Sequence, residues 1–81
     1  MNKKVIVYST DYCAYCKQAK AYLKSKGVDF EEKNIEQDET ANKELMDKIG
    51  GAFRGVPVLD IGGELLQGFD RSHINMALEN F

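Results

Sequence analysis

The chain has 81 residues, 43% of them hydrophobic and 30% charged, which is enough for one domain and too few for two. That apolar content excludes a disordered tail, and 7 Gly with 1 Pro exclude a fibrous or low-complexity chain. With 11 Lys and Arg against 13 Asp and Glu the formal net charge is −2, which excludes nucleic-acid binding by bulk positive charge.

Met1-Asn2-Lys3-Lys4 is a basic start, but the apolar run behind it stops at Ser9. A secretory h-region needs roughly 7–15 apolar residues and a membrane span about 20. The expectation is therefore a soluble, cytoplasmic protein with no membrane contact. Lys4-Val5-Ile6-Val7-Tyr8 is a continuous β-branched run, the pattern of a strand buried on both faces. Ser9-Thr10-Asp11-Tyr12 breaks it. From residue 14 to 26 the period turns helical. Tyr15, Cys16, Ala19, Tyr22 and Leu23 form one stripe, and Lys17, Lys20 and Lys24 another. The lysines are a solvated face that also raises the local potential toward anionic substrates. Gly27 suits the C′ position.

Val28-Asp29-Phe30-Glu31 alternates apolar and polar, which predicts a second strand over 28–35. Asp38 is an N-cap residue for a second helix, marked by Ala41, Leu45, Met46 and Ile49 and ended by Gly50-Gly51. Residues 56–61 read as a third strand. Gly62-Gly63 is a two-residue hairpin signal, and residues 64–67 return antiparallel. Asp70 caps a last helix whose Ile74, Ala77, Leu78 and Phe81 share one face. The predicted order is β-α-β-α-β-β-α in an α/β domain over residues 1–81, the first two strands parallel.

The chain has two cysteines, Cys13 and Cys16. A disulfide between them closes a very short loop and removes little unfolded-state entropy, so it makes a poor structural staple. A zinc site needs more ligands, and the single histidine, His73, is far away in sequence. Cys-x-x-Cys beside a strand-helix-strand pattern reads as a redox pair. Cys13 falls at the predicted start of the first helix, where unpartnered backbone N–H groups stabilise an anion and so a thiolate. Cys16, one turn further in, faces the core. The placement predicts that Cys13 attacks and Cys16 resolves. Pro57 sits inside a strand pattern that normally excludes proline. It is a trans proline at a strand start, or the Val56-Pro57 bond is cis. The expectation is the cis bond, with the Val56 backbone free to pair with an extended peptide.

Placed together, these segments resemble the glutaredoxin family of the thioredoxin-like fold. Val7-Tyr8-Ser9-Thr10-Asp11-Tyr12-Cys13-Ala14-Tyr15-Cys16 is similar to the family's strand-loop-helix with Cys-Pro-Tyr-Cys. The stretch from Lys20 to Phe30 is similar to its helix and second strand. Val56-Pro57 looks like its Thr-Val-Pro with a cis proline, and Gly68-Phe69-Asp70 falls where a Gly-Gly-Cys-Asp type segment opens the last helix. The resemblance implies a four-stranded mixed sheet with three helices. It also implies a thiol–disulfide oxidoreductase with no metal and no tightly bound cofactor, acting as a monomer with glutathione as co-substrate and disulfide-bearing proteins as partners.

The chain departs from the family at Ala14 for proline, Thr10 for a carboxylate-binding lysine, Gly55 for threonine and Phe69 for a polar residue. The Gly55-Val56-Pro57 and Gly68-Phe69-Asp70 forms also resemble the NrdH-type redoxins, which take electrons from thioredoxin reductase. A further alternative from another class is a glutathione-dependent [2Fe–2S] carrier bridged through Cys13. Implied contacts for glutathione are Tyr15 at the cleft, the Val56 backbone beside Pro57, and Gly68, Phe69 and Asp70 at the γ-glutamyl end. Asp70 serves there as an ammonium acceptor or as an N-cap. Tyr12 is a loop aromatic that shields the sulfur or touches substrate. Arg54 is a carboxylate partner or a solvated loop arginine, and His73 reads as a surface residue.

Overall fold

A computed structural model describes residues 5–50 and 55–79. The elements are β1 Val5–Ser9, α1 Ala14–Ser25, β2 Glu31–Asn34, α2 Glu39–Ile49, β3 Val58–Ile61, β4 Glu64–Gln67 and α3 Arg71–Glu79, in the predicted order. The sheet runs β2-β1-β3-β4. β1 pairs parallel with β2 and antiparallel with β3, and β3 pairs antiparallel with β4.

Every residue of β1 is buried, because the strand is central and covered on both faces. Alternation along it divides the core. Val5 and Val7 join Leu59 and Ile61 of β3, Ala19 and Leu23 of α1, and Ile74 and Ala77 of α3. Ile6 and Tyr8 face the other way, with Val58, Ile35, and Ala41 and Leu45 of α2. The domain is thus a sheet between two helical layers.

Two strands are shorter than the sequence pattern suggests. β2 starts at Glu31 rather than residue 28, because the N–H groups before it are used by the end of α1. Gly27 N–H bonds Lys24 C=O at 3.0 Å and Val28 N–H bonds Leu23 C=O at 3.0 Å, with Gly27 at φ 71°. This is a Schellman cap, and Val28 and Phe30 pack on the α1–α3 core instead of extending the ladder. β3 starts at Val58 rather than residue 56, because Pro57 has no N–H to give a ladder. Lys4 of the predicted first strand, Gly51, and Phe81 of the predicted last helix face lie outside the described residues. At the β3–β4 hairpin Gly62 and Gly63 have φ of 61° and 100°, the left-handed conformations a two-residue turn demands.

A chain of polar side chains ties α2 to the sheet. The Tyr8 hydroxyl donates to Glu44, which also accepts from Lys33 Nζ at 2.8 Å. Lys48 Nζ donates to Tyr8 at 2.7 Å and to Asp60 Oδ2 at 2.6 Å, while Asp60 Oδ1 accepts from Gly63 N–H at 2.8 Å. Burial, and then the bond to Glu44, push the Tyr8 phenol up. The Lys33 ammonium, helped by Tyr8, holds the Glu44 carboxyl below the usual carboxylate range.

The folded state therefore binds the Glu44 proton more weakly than the unfolded chain. The resulting stabilisation is complete above the unfolded pKa and is lost as pH falls through the folded one. Glu44→Gln is expected to cost up to about 1 kcal/mol near neutrality, since the pair is partly exposed. The gap to wild type should close as pH drops below about 4. Urea unfolding across a pH series checks this, and a gap independent of pH would exclude the carboxylate charge as its source.

Candidate functional site

Strand register gathers the chemistry at one end of the sheet. Tyr8 and Ser9, at the exit of β1, lie opposite Val58 and Asn34 respectively, and Val58 lies opposite Gln67. The loop from Thr10 to Cys13, the Val56-Pro57 pair, the turn after Asn34 and the Gly68-Phe69-Asp70 segment all leave the sheet at that edge. α1, α2 and α3 all begin there. Sites at strand ends between helix starts are the general expectation for α/β sheets.

Cys13 is the N-cap of α1, with extended backbone, and its Sγ accepts the Cys16 N–H at 3.0 Å. Cys13 and Cys16 form a disulfide with Cα atoms 5.2 Å apart. The two sulfurs are unequal. Cys13 is partly exposed, and Cys16 is 1% exposed among core residues. On either side of Cys13 in the chain, Tyr12 is 97% and Tyr15 62% exposed, so Tyr15 does not share the buried stripe of Cys16, Ala19 and Leu23.

The Val56-Pro57 bond is cis, as the sequence reading expects. Among the described residues the Val56 N–H and C=O take no hydrogen-bond partner. Pro57 C=O accepts the Gly68 N–H at 2.7 Å, bringing these two candidate residues together, and Gly68 has φ 94°. Phe69 is half-buried against the α1–α3 core. Its ring meets Tyr22 edge-on at 6.1 Å, with the Arg71 guanidinium 5.9 Å away. Asp70 Oδ1 accepts the N–H groups of Ser72 at 2.9 Å and His73 at 3.3 Å, so it caps α3. Its Oδ2 is 3.6 Å from His73 Nδ1, and His73 is exposed. Arg54 lies outside the described residues.

Sequence reasoning missed what fixes the loop before Cys13. Asp11 Oδ1 accepts from Asn34 Nδ2 at 2.7 Å, and Gln37 Nε2 donates to both Asp11 oxygens at 3.0 Å. Asn34 Oδ1 in turn holds the N–H groups of Glu36 and Gln37 at 2.9 and 3.2 Å. No periodicity links Asp11 to residues 34 and 37. The usable signal was the turn chemistry of Asn34 after a strand predicted to lie parallel to the first.

A cysteine pair at the first helix start of such a sheet defines a class, the thioredoxin-like redox proteins. The chain matches the glutaredoxin family model over residues 5–66 and belongs to the glutaredoxin family, as a glutaredoxin-like redox protein with a Cys13–Cys16 pair. It is 37% identical over 73 residues to an uncharacterised glutaredoxin-like 8.6 kDa protein in the rubredoxin operon of Clostridium pasteurianum, covering 90% of this chain and 95% of that one. It is 35% identical over 80 residues to an N-acetyl-S-hydroxy-L-cysteine reductase of Bacillus subtilis strain 168, covering 94% and 84%. Among solved structures it is similar to the glutaredoxin-like NrdH-redoxin of Escherichia coli, with a TM-score of 0.78, 27% identity, and coverage of 90% and 92%. Among the described residues no helix is long and apolar enough to cross a membrane.

Proposed function

We propose that the protein is a thiol–disulfide oxidoreductase that reduces protein or glutathione-mixed disulfides, working as a monomeric domain in the cytoplasm with glutathione as reducing co-substrate. The observation that carries this reading is the asymmetry of the pair, a partly exposed Cys13 at a helix N-cap and a buried Cys16 one turn inside. In the reduced protein the Cys13 thiolate faces the Cys16 N–H and the first turn of α1, which stabilise it. It attacks one substrate sulfur, and the other sulfur leaves as a thiolate. The Cys16 thiolate then attacks Cys13 Sγ, releases the second substrate thiol and closes the Cys13–Cys16 disulfide. Two electrons pass to the substrate. Two glutathione thiols return them and become glutathione disulfide.

Support for a peptide-like partner comes from the Val56 N–H and C=O beside Pro57, unpartnered among the described residues, and from exposed Tyr15. Gly68 next to Pro57 leaves room for close approach, and Phe69 and Asp70, which follow it in the chain, are the further contacts of this reading.

A NrdH-like redoxin, reduced by thioredoxin reductase, is the second reading, and the loop before Cys13 favours it. Thr10 offers a hydroxyl and Asp11 adds a carboxylate two residues from the nucleophile, both poor for a net-anionic thiol such as glutathione. Coupled NADPH oxidation with a neutral disulfide separates the two. Turnover with glutathione and its reductase supports the first reading, and turnover only with thioredoxin reductase supports the second. No turnover with either donor would overturn the oxidoreductase assignment.

A further inference from the structure

We infer that the protein partners it reduces carry acidic residues beside their disulfide, and that these dock along the lysine-lined groove of α1. This deepens the oxidoreductase reading and rests on it. The groove runs between Lys17, Lys20 and Lys24 of α1 on one side and Val28, Phe30 and Glu32 on the other. The lysines recur at three and four residues and so share one face. The near end of this face approaches the redox pair in sequence, because Lys17 lies four residues, about one helical turn, after the N-cap Cys13.

Not all of its charge is free. Lys20 Nζ is held by Glu32 at 2.6 Å, and Glu32 also accepts from the buried Ser9 hydroxyl at 2.9 Å. The Lys20 bond holds the Glu32 carboxyl below the usual range, so it stays ionised and neutralises that one lysine. Asp29 is the other carboxylate of the groove. Lys17 and Lys24 are exposed and form no ion pair within 4.0 Å among the described residues, so the groove keeps a positive excess on a chain of net charge −2. Half-buried Val28 and Phe30 give its floor an apolar strip. An extended segment with carboxylates and one or two apolar side chains matches this lining, whereas a basic segment meets like charge at Lys17, one helical turn after Cys13.

The test uses two synthetic peptides that differ only in the residues flanking one central cysteine, glutamates in one and lysines in the other. Each cysteine is capped as a disulfide with 2-mercaptoethanol. Cys13 attacks the peptide sulfur, 2-mercaptoethanol leaves as its thiolate, and Cys16 then frees the peptide thiol while the protein pair is oxidised. With pre-reduced protein in single turnover, the acidic peptide should react roughly five- to tenfold faster at low salt. The ratio should fall toward one as salt rises and in the Lys17→Gln/Lys24→Gln double variant. Because the ratio is internal, a general change in Cys13 reactivity cancels. Equal rates for the two peptides in wild type, or a ratio unmoved in the double variant, would overturn the docking assignment while leaving the reductase reading intact. Failure to reduce either peptide would overturn both.

Discussion

Cys13→Ser is expected to bring disulfide reduction down to the uncatalysed background, while Cys16→Ser stops dithiol turnover and accumulates a stable mixed disulfide on Cys13. The two variants differ because the two sulfurs do. Cys13 Sγ lies at the N-cap and is partly exposed, so an incoming disulfide can reach it. Cys16 is covered by the core and can reach only a sulfur already bound to Cys13. Intact-mass measurement after mixing each reduced variant with a disulfide substrate reads this directly. Substrate adducts on Cys16 in the Cys13→Ser variant, or faster alkylation of Cys16 than of Cys13 in the reduced wild type, would contradict the division of labour.

Leu59→Ala is expected to destabilise the fold strongly. Leu59 is 0% exposed, sits in β3 between Val7 and Leu66, and packs in the cluster that joins α1 and α3 to the sheet. Truncating such a side chain costs about 2–5 kcal/mol in lost transfer energy and cavity. In a domain this short each kcal/mol moves Tm by roughly 4–8 °C, so a drop on the order of ten degrees or more is expected. Gln18→Ala, at an exposed residue of α1, should stay within about 0.5 kcal/mol and serves as the control. Similar melting temperatures for the two variants would mean that β3 is not central to the core.

What could be read in the sequence depended on whether a local pattern carried the information. The unbroken run Val5 to Tyr8 announced a doubly covered strand because both faces need apolar groups, and all of it is buried. Cys13 as the first residue before a helix was legible because the break at Ser9-Thr10-Asp11-Tyr12 and the change of period both point to it. The start of β2 was not legible, because Val28 and Phe30 alternate like a strand while the Val28 N–H belongs to the cap of α1. Tyr15 was placed in the apolar stripe by spacing alone, yet the helix turns it outward beside the redox pair. The Asp11 clamp and the Glu44–Tyr8–Lys48–Asp60 chain join residues 12 to 40 positions apart. Such contacts exist only once the topology is set.

The strand β2 bears on association as much as on packing. It is Glu31-Glu32-Lys33-Asn34, four polar residues at the margin of the sheet, bonded to β1 along one side. An open margin of this kind is a template for another chain to join by strand addition, and the growth of such pairings leads to aggregates. Short edge strands carrying charged side chains disfavour such growth, and here Glu31, Glu32 and Lys33 put three charges in four residues. The extended-chain partners proposed above would thereby find no ready strand template at β2.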